Sequence, residues 1–167
     1  MRGSRWAELV EMARFHGQLA QAALSPVEFR FLNDHSPITV GRNDSGQGLQ
    51  TLMTALNNQP SGGTPLCKHI NDIVIQIRNI EGQLRANGQQ AMLVIATDGE
   101  ASDGDVVQAL RPLANLPVWV SIRLCTEDEQ VDRYWNTVDN QLIEMKIDII
   151  EDFVVEGRQI HRWNPWM

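Results

Sequence analysis

The sequence predicts an α/β fold in which a mostly parallel β-sheet carries helices on both faces. Residues 91–96 form an unbroken apolar run, which is typical of a strand that is covered on both sides. Residues 118–125 are mostly apolar and predict a second strand, and segments with helical periodicity precede and follow both strands. Strands that alternate with helices are the pattern of a parallel sheet. The 167 residues, 43% of them hydrophobic and 21% charged, suit one domain with a proper core.

The first half of the chain contains two predicted strands and three predicted helices. Apolar residues recur at helical spacing at the N-terminus and again along the segment that Gly88 ends. Between them, an alternating segment, a turn and a short partner strand predict a β-hairpin. The predicted elements are a helix over 4–24, strands over 27–33 and 38–40, a helix over 49–57 and a long helix from about 65 to 87.

The second half continues the alternation around the two apolar strands. Asp105 with Gln108, and Thr126 with Glu129, have the spacing of capping boxes that open helices. Alternating apolar and charged residues near the C-terminus predict an edge strand. The predicted elements are a strand over 91–97, a helix over 105–115, a strand over 118–125, a helix over 126–141, an edge strand over 143–149 and a last helix over 150–163.

Composition excludes several classes of protein. The formal net charge of −7 argues against a nucleic-acid surface, which needs clustered Lys and Arg. No apolar run reaches the roughly 18 residues of a membrane span, and the first residues lack the pattern of a signal peptide. Cys67 and Cys125 cannot build a disulfide framework, so we interpret them as small buried side chains in a reducing, cytoplasmic compartment.

Conventional catalytic patterns are poorly supported. The four histidines are scattered and have no metal-ligand spacing among themselves or with the cysteines. The chain has no Gly-x-Ser-x-Gly elbow, and no Gly-Lys-Ser/Thr follows its Gly-rich loop, so that loop is not a phosphate-binding P-loop.

Two loops remain as candidates for chemistry. Ser61-Gly-Gly-Thr64-Pro65 precedes the long helix, and Thr97-Asp98-Gly99 ends the buried strand. Each has a purely structural interpretation: Thr64 as an N-cap with Pro65 at the first helical position, and Asp98-Gly99 as a turn. A carboxylate at the C-terminal end of a buried parallel strand also lies where open α/β sheets bind ligands.

Together the two loops resemble those of the von Willebrand factor A family, and the resemblance covers residues 1–150. Thr64 matches the Thr of the family's Gly-Gly-Thr loop, and Asp98 matches the Asp of its Thr-Asp-Gly loop. The resemblance implies a Rossmann-like, doubly wound sheet and a metal-ion-dependent adhesion site. Thr64 and Asp98 would ligate Mg²⁺ or Mn²⁺, with Ser61, Gly62, Gly63 and Gly99 shaping the loops. An acidic side chain of a protein partner would fill the open coordination position, so the chain would be a binding module and not an enzyme.

The chain departs from the family at its first motif. No Asp-x-Ser-x-Ser loop exists, and no strand precedes the first helix. In the family's strand order, 3-2-1-4-5-6, that strand separates those corresponding to 27–33 and 91–97. We therefore expect an N-terminally truncated fragment with a weak metal site and two unpaired strand edges. Each buried backbone group left unpaired costs about 1–3 kcal/mol.

Two other functions stay open. The first is a Mg²⁺-dependent α/β hydrolase or phosphotransferase that uses Asp98 with Glu100 or Asp103, because carboxylates grouped after a strand are compatible with metal-assisted phosphoryl chemistry. The second is a scaffold of the same fold whose metal site has decayed, and which binds its partner through packing alone.

Overall fold

The chain divides into two compact units, residues 1–63 and 64–167. The computed structural model describes residues 5–33, 36–41, 45–59, 61–126, 128–145 and 147–150. The first unit contains α1 (Arg5–Ala23), β1 (Val27–Phe29), β2 (Ile38–Val40) and α2 (Gln47–Ala55). The second contains α3 (Leu66–Ala86), β3 (Ala91–Thr97), α4 (Val106–Leu110), a 3-10 helix (Arg111–Asn115), β4 (Val118–Leu124), α5 (Glu129–Gln141) and β5 (Ile147–Ile150). The predicted α/β class is confirmed.

The first unit is built on the predicted hairpin. β1 and β2 are antiparallel, with Val27 opposite Val40. β1 ends at Phe29 and is therefore shorter than predicted, because β2 offers it only three residues to pair with. A small core lies beside the hairpin, and its buried members are Ala20, Ile38, Val40, Leu52 and Leu56.

Gly41, the residue after β2, lies close against the backbone at the end of α1. Its φ of +89° lies in the left-handed region, and a Cβ there would lie 2.2 Å from the Ser25 carbonyl oxygen. The backbone of Ser25 is itself held by a 3.1 Å hydrogen bond from its N–H to the Ala20 carbonyl. No other residue type fits at position 41 without moving the end of α1.

The second unit contains a parallel sheet in the order β3-β4-β5. Ala91 pairs with Val118, and Val120 pairs with Ile147. The predicted edge position of β5 is confirmed, although the strand begins later than predicted, after a turn closed by the Met145 N–H and the Leu142 carbonyl. One sheet face belongs to the core, together with buried side chains of α3, α4 and α5. The buried residues of that face are Ile95, Thr97, Val120, Ile122 and Leu124.

The opposite face of β3 is more exposed than its apolar sequence predicts. Met92 is 70% exposed and Val94 is 47% exposed, and Trp119, the β4 residue paired with Met92, is 41% exposed. The prediction that β3 is covered on both faces is therefore wrong. An uncharged run shows that a strand suits burial, but it carries no information about what lies on each face.

Helix ends follow local signals in most places. α3 ends at Ala86, and Gly88 adopts the left-handed conformation (φ +61°) expected of a C-terminal glycine. Asp105 caps α4 as predicted, since its Oδ1 accepts a 2.9 Å hydrogen bond from the Val107 N–H. α4 continues directly into the 3-10 helix, and Pro112 lies near the start of that 3-10 helix.

The predicted cap of α5 is wrong. Asp128 caps this helix, with its Oδ1 2.8 Å from the Gln130 nitrogen. Thr126 lies two residues too early to cap, and its hydroxyl oxygen instead accepts a 3.1 Å bond from the Asp128 N–H. The predicted last helix, 150–163, lies almost wholly outside the described residues. No helix that the structure describes is both long and apolar enough to cross a membrane.

Candidate functional site

The loop that follows β3, residues 98–105, lies at the carboxyl end of the parallel sheet. Asp98 is its first residue, and its side chain is exposed. The buried Thr97 holds the turn: its hydroxyl donates to the Gly99 carbonyl at 3.1 Å and accepts from the Gly99 N–H at 3.3 Å. These bonds fix the backbone on both sides of Asp98, so its carboxylate projects from a defined turn.

Trp135 fixes the same turn from α5. Its indole N–H donates to the Gly99 carbonyl oxygen at 3.2 Å, and its side chain is 0% exposed. A buried indole needs a partner for its N–H, and here the Thr97-Asp98-Gly99 turn supplies it. The sequence placed Trp135 in a helix but gave no sign of this role.

The structure brings Thr64 and the 98–105 loop together. The Thr64 N–H donates to the Ser102 hydroxyl oxygen at 2.9 Å, and the Ser102 N–H donates to the Thr64 carbonyl at 2.9 Å. Thr64 is half-buried and lies immediately before α3. The two motifs that were 34 residues apart in sequence, at Thr64 and Asp98, thus belong to segments that are hydrogen-bonded to each other.

Thr64 does not cap α3, contrary to its structural interpretation. Pro65 occupies the N-cap position with φ −76° and ψ 57°, the helix begins at Leu66, and no side-chain bond comes from the capping residue. Asp103 caps the helix instead. Its Oδ1 accepts from the Cys67 N–H at 2.9 Å and its Oδ2 accepts from the Lys68 N–H at 2.8 Å.

The electrostatics of Asp103 agree with this capping role. Partial burial alone would raise its pKa, but the hydrogen bonds from the Lys68 and Cys67 N–H groups outweigh that effect and hold the pKa below its ordinary value. A carboxylate at a helix N-terminus is also favoured by the helix dipole. Asp103 is therefore charged and fully engaged at neutral pH.

Cys67 and Tyr134 stay protonated beside this loop. Burial raises the pKa of the Cys67 thiol to about 11, and the neighbouring Asp103 carboxylate adds to the shift. Burial also raises the pKa of Tyr134, with a further contribution from the charge of Glu100. Neither group is a nucleophile near neutral pH.

The side-chain oxygens of Thr64 and Asp98 differ in their hydrogen bonding from those of most polar residues around them. Thr97, Ser102, Asp103 and Asp105 all use their side-chain oxygens in hydrogen bonds within the chain. The Thr64 hydroxyl and the Asp98 carboxylate form no hydrogen bond with the part of the chain that the structure describes. The exposed Glu100 carboxylate likewise forms no hydrogen bond with the described residues, so the side-chain oxygens of Thr64, Asp98 and Glu100 remain available to a ligand.

The glycines that precede Thr64 belong to the first unit. Gly62 has a φ of +100°, and a Cβ on it would lie 3.1 Å from the Asn33 side chain. The Asn33 amide donates to the Gly63 carbonyl oxygen at 3.0 Å, and Ser61 is exposed. The Gly-rich loop is therefore held to the turn after β1, and Gly62 is needed for its left-handed conformation.

The Asp98 carboxylate and the Thr64 hydroxyl are the types of ligand that a hard cation prefers. Mg²⁺ prefers oxygen ligands and retains several waters where a protein supplies few, so one carboxylate and one hydroxyl are suitable but few. Among the described residues, no three His, Cys, Asp or Glu side chains are grouped so that they could hold a metal ion. Asp103, a ligand in the phosphotransferase hypothesis, has both oxygens bonded to α3.

Comparison with known proteins gives no further guide. No family model matches the chain, and no curated protein matches it significantly.

Proposed function

We propose that this chain is a von Willebrand A-like binding module that engages a protein partner through a divalent cation held by Thr64 and Asp98. One observation carries the proposal. Thr64 and Asp98 lie on segments that are hydrogen-bonded to each other, and their side-chain oxygens have no partner within the described residues. The position at the carboxyl end of a parallel strand is where open α/β sheets bind ligands.

The proposal includes the finer fold that the resemblance implies, a doubly wound, Rossmann-like sheet. The three parallel strands joined through helices are compatible with it. A reducing, cytoplasmic location also belongs to the proposal, and it is supported by Cys67 and Cys125, neither of which forms a disulfide among the described residues.

A cation would change what the site can bind. Asp98 and Glu100 are exposed acids on a chain of net charge −7, so without a cation this surface repels an acidic partner. A bound Mg²⁺ offsets the charge of Asp98 and Glu100 and leaves coordination positions for a carboxylate of the partner. Partner binding should therefore be lost in EDTA. Retention in EDTA would favour the scaffold with a decayed metal site.

Calorimetric titration with Mg²⁺ and Mn²⁺ tests the cation directly. We expect weak, saturable binding that Asp98→Ala abolishes and Thr64→Ala weakens. Glu100→Ala is the matched control, because it removes an exposed carboxylate from the same loop without removing a proposed ligand. Absence of binding to the folded chain, or equal losses in Asp98→Ala and Glu100→Ala, would overturn the proposal.

A further inference from the structure

Separate sets of hydrogen bonds hold the two segments that carry Thr64 and Asp98. Thr64 and Ser102 are joined by two bonds of 2.9 Å. Asp98 lies four residues before Ser102, on the other side of Gly99. The bonds of Ser102 therefore fix Thr64 relative to the middle of the 98–105 loop, but they leave the position of Asp98 to other contacts.

The backbone is held on each side of Asp98 by a different element. Before it, the Thr97 carbonyl accepts a 2.8 Å hydrogen bond from the Cys125 N–H, which follows β4. After it, the Gly99 carbonyl accepts a 3.2 Å bond from the Trp135 indole of α5. The Thr97 hydroxyl also donates to the Gly99 carbonyl, at 3.1 Å, but that bond lies within the turn and moves with it. The indole is thus the donor that ties the far side of the turn to another element.

Trp135 is a rigid donor. Its side chain is 0% exposed, and Val131 and Val138, which lie on the same face of α5, are also buried. A close-packed side chain cannot follow a turn that shifts. An indole has one donor and no acceptor, so its N–H would be left buried and unpaired if the Gly99 carbonyl moved away. The burial of Trp135 therefore favours a single position of the turn.

We propose that Trp135 is a positioning residue for the cation site: its bond to the Gly99 carbonyl holds the Asp98 carboxylate in the one place where it binds the cation together with Thr64. This role rests on the function proposed above. Groups that orient a metal ligand without touching the metal typically change its affinity by about 10–100-fold. We expect the lower end, about tenfold, because the bonds on the Thr97 side of Asp98 remain when the indole is removed.

Calorimetric titration with Mg²⁺ and Mn²⁺ of Trp135→Phe tests this role. Val138→Ala is the matched control, because it removes buried volume from the same face of α5 and leaves the bond to Gly99 intact. Cation affinity should fall about tenfold in Trp135→Phe and change less than about twofold in Val138→Ala.

The possible failures of this titration are distinguishable. Equal affinities of the native chain and Trp135→Phe, or equal losses in the two variants, would overturn the positioning role and leave the proposed function in place. A native chain that binds no cation would overturn both.

A tryptophan analogue with sulfur in place of the ring nitrogen, introduced at position 135, separates the hydrogen bond from the packing. It keeps the shape of the indole and lacks the N–H. Because the lost donor is the proposed cause, cation affinity should fall as far as in Trp135→Phe. Native affinity with the analogue would show that packing alone supports the site, and would overturn the proposal.

Nuclear magnetic resonance of the unaltered chain gives a measurement that needs no variant. The Trp135 ring contacts that of Tyr134, with 5.4 Å between ring centroids, and this contact identifies its indole N–H signal. The signal should shift during a Mg²⁺ titration with the midpoint that calorimetry gives, while the Trp119 indole, at the opposite end of the sheet, should not. A Trp135 signal that is unmoved at saturating cation would refute the coupling.

Discussion

Replacement of Asp103 by Ala tests how the candidate site is held together. Asp103 joins the 98–105 loop to α3 through two hydrogen bonds, 2.9 Å to the Cys67 nitrogen and 2.8 Å to the Lys68 nitrogen. Loss of an N-cap costs about 0.5–2 kcal/mol, and loss of a charge near the helix dipole contributes about 0.3–1 kcal/mol of that effect. Because Asp103 is exposed, we expect about 1–1.5 kcal/mol.

Urea unfolding followed by far-UV circular dichroism measures this loss. With a slope of about 1–1.5 kcal/mol/M, the midpoint for Asp103→Ala should fall by about 1 M. Asp72→Ala is the matched control, since Asp72 is an exposed acid beyond the first turn of the same helix. Asp103→Asn keeps one acceptor and should lose about half as much. Equal midpoints for Asp103→Ala and Asp72→Ala would refute the capping role.

The pH dependence of the same variants has a definite sign. The folded-state pKa of Asp103 lies below its ordinary value, so its contribution to stability is present above the unfolded-state pKa and is lost as pH falls through the folded value. The difference in stability between the native chain and Asp103→Ala should therefore be constant near neutrality and shrink below about pH 4. A difference that grows on acidification would contradict this linkage.

Three further outcomes are expected. At pH 8, the Cys67 thiol should react with a disulfide reagent about tenfold more slowly than an ordinary cysteine. Its pKa is raised from 9.0 to about 11, so its thiolate fraction is about 100-fold smaller, and the higher nucleophilicity of that thiolate recovers about tenfold. Cys67→Ala and Cys125→Ala identify the slow thiol, and equal rates would contradict the shift. Trp135→Phe should lower the free energy of unfolding in urea by about 1–3 kcal/mol, since it removes the hydrogen bond to the Gly99 carbonyl and part of a fully buried side chain. An unchanged midpoint would contradict this role of Trp135. Gly41→Ala should lower the free energy of unfolding by more than about 2 kcal/mol in the same assay, because the added Cβ would collide with the Ser25 carbonyl oxygen. A smaller loss would indicate that the backbone around Gly41 and Ser25 shifts easily.

The elements that the sequence predicted well are those fixed by neighbouring residues. The spacing of apolar residues and Gly88 define α3 and its end, and Asp105 caps the helix that begins at the next residue. Each of these features depends on a residue pattern that is contained within a short window.

The features that the sequence did not reveal depend on distant residues. Asp103 caps a helix whose bonded N–H group, that of Cys67, lies 36 residues earlier, and Pro65 gives no local sign that the cap comes from elsewhere. The exposed face of β3 has the same cause, since an apolar run does not state which neighbours the fold provides. In the sequence, Thr64 supplied an apparent cap for α3, so nothing nearby indicated that Asp103 takes this role.

The hydrogen bonds that hold the 98–105 loop affect how the protein responds to proteases. Exposed loops rich in Asp, Ser and Gly are usual sites of proteolytic nicking, because a protease needs to draw a segment into an extended shape. Here, bonds from Thr64, Trp135 and the first turn of α3 hold the loop at Gly99, Ser102 and Asp103. Limited digestion should spare this loop in the native chain, and cleavage there would report that the candidate site has opened.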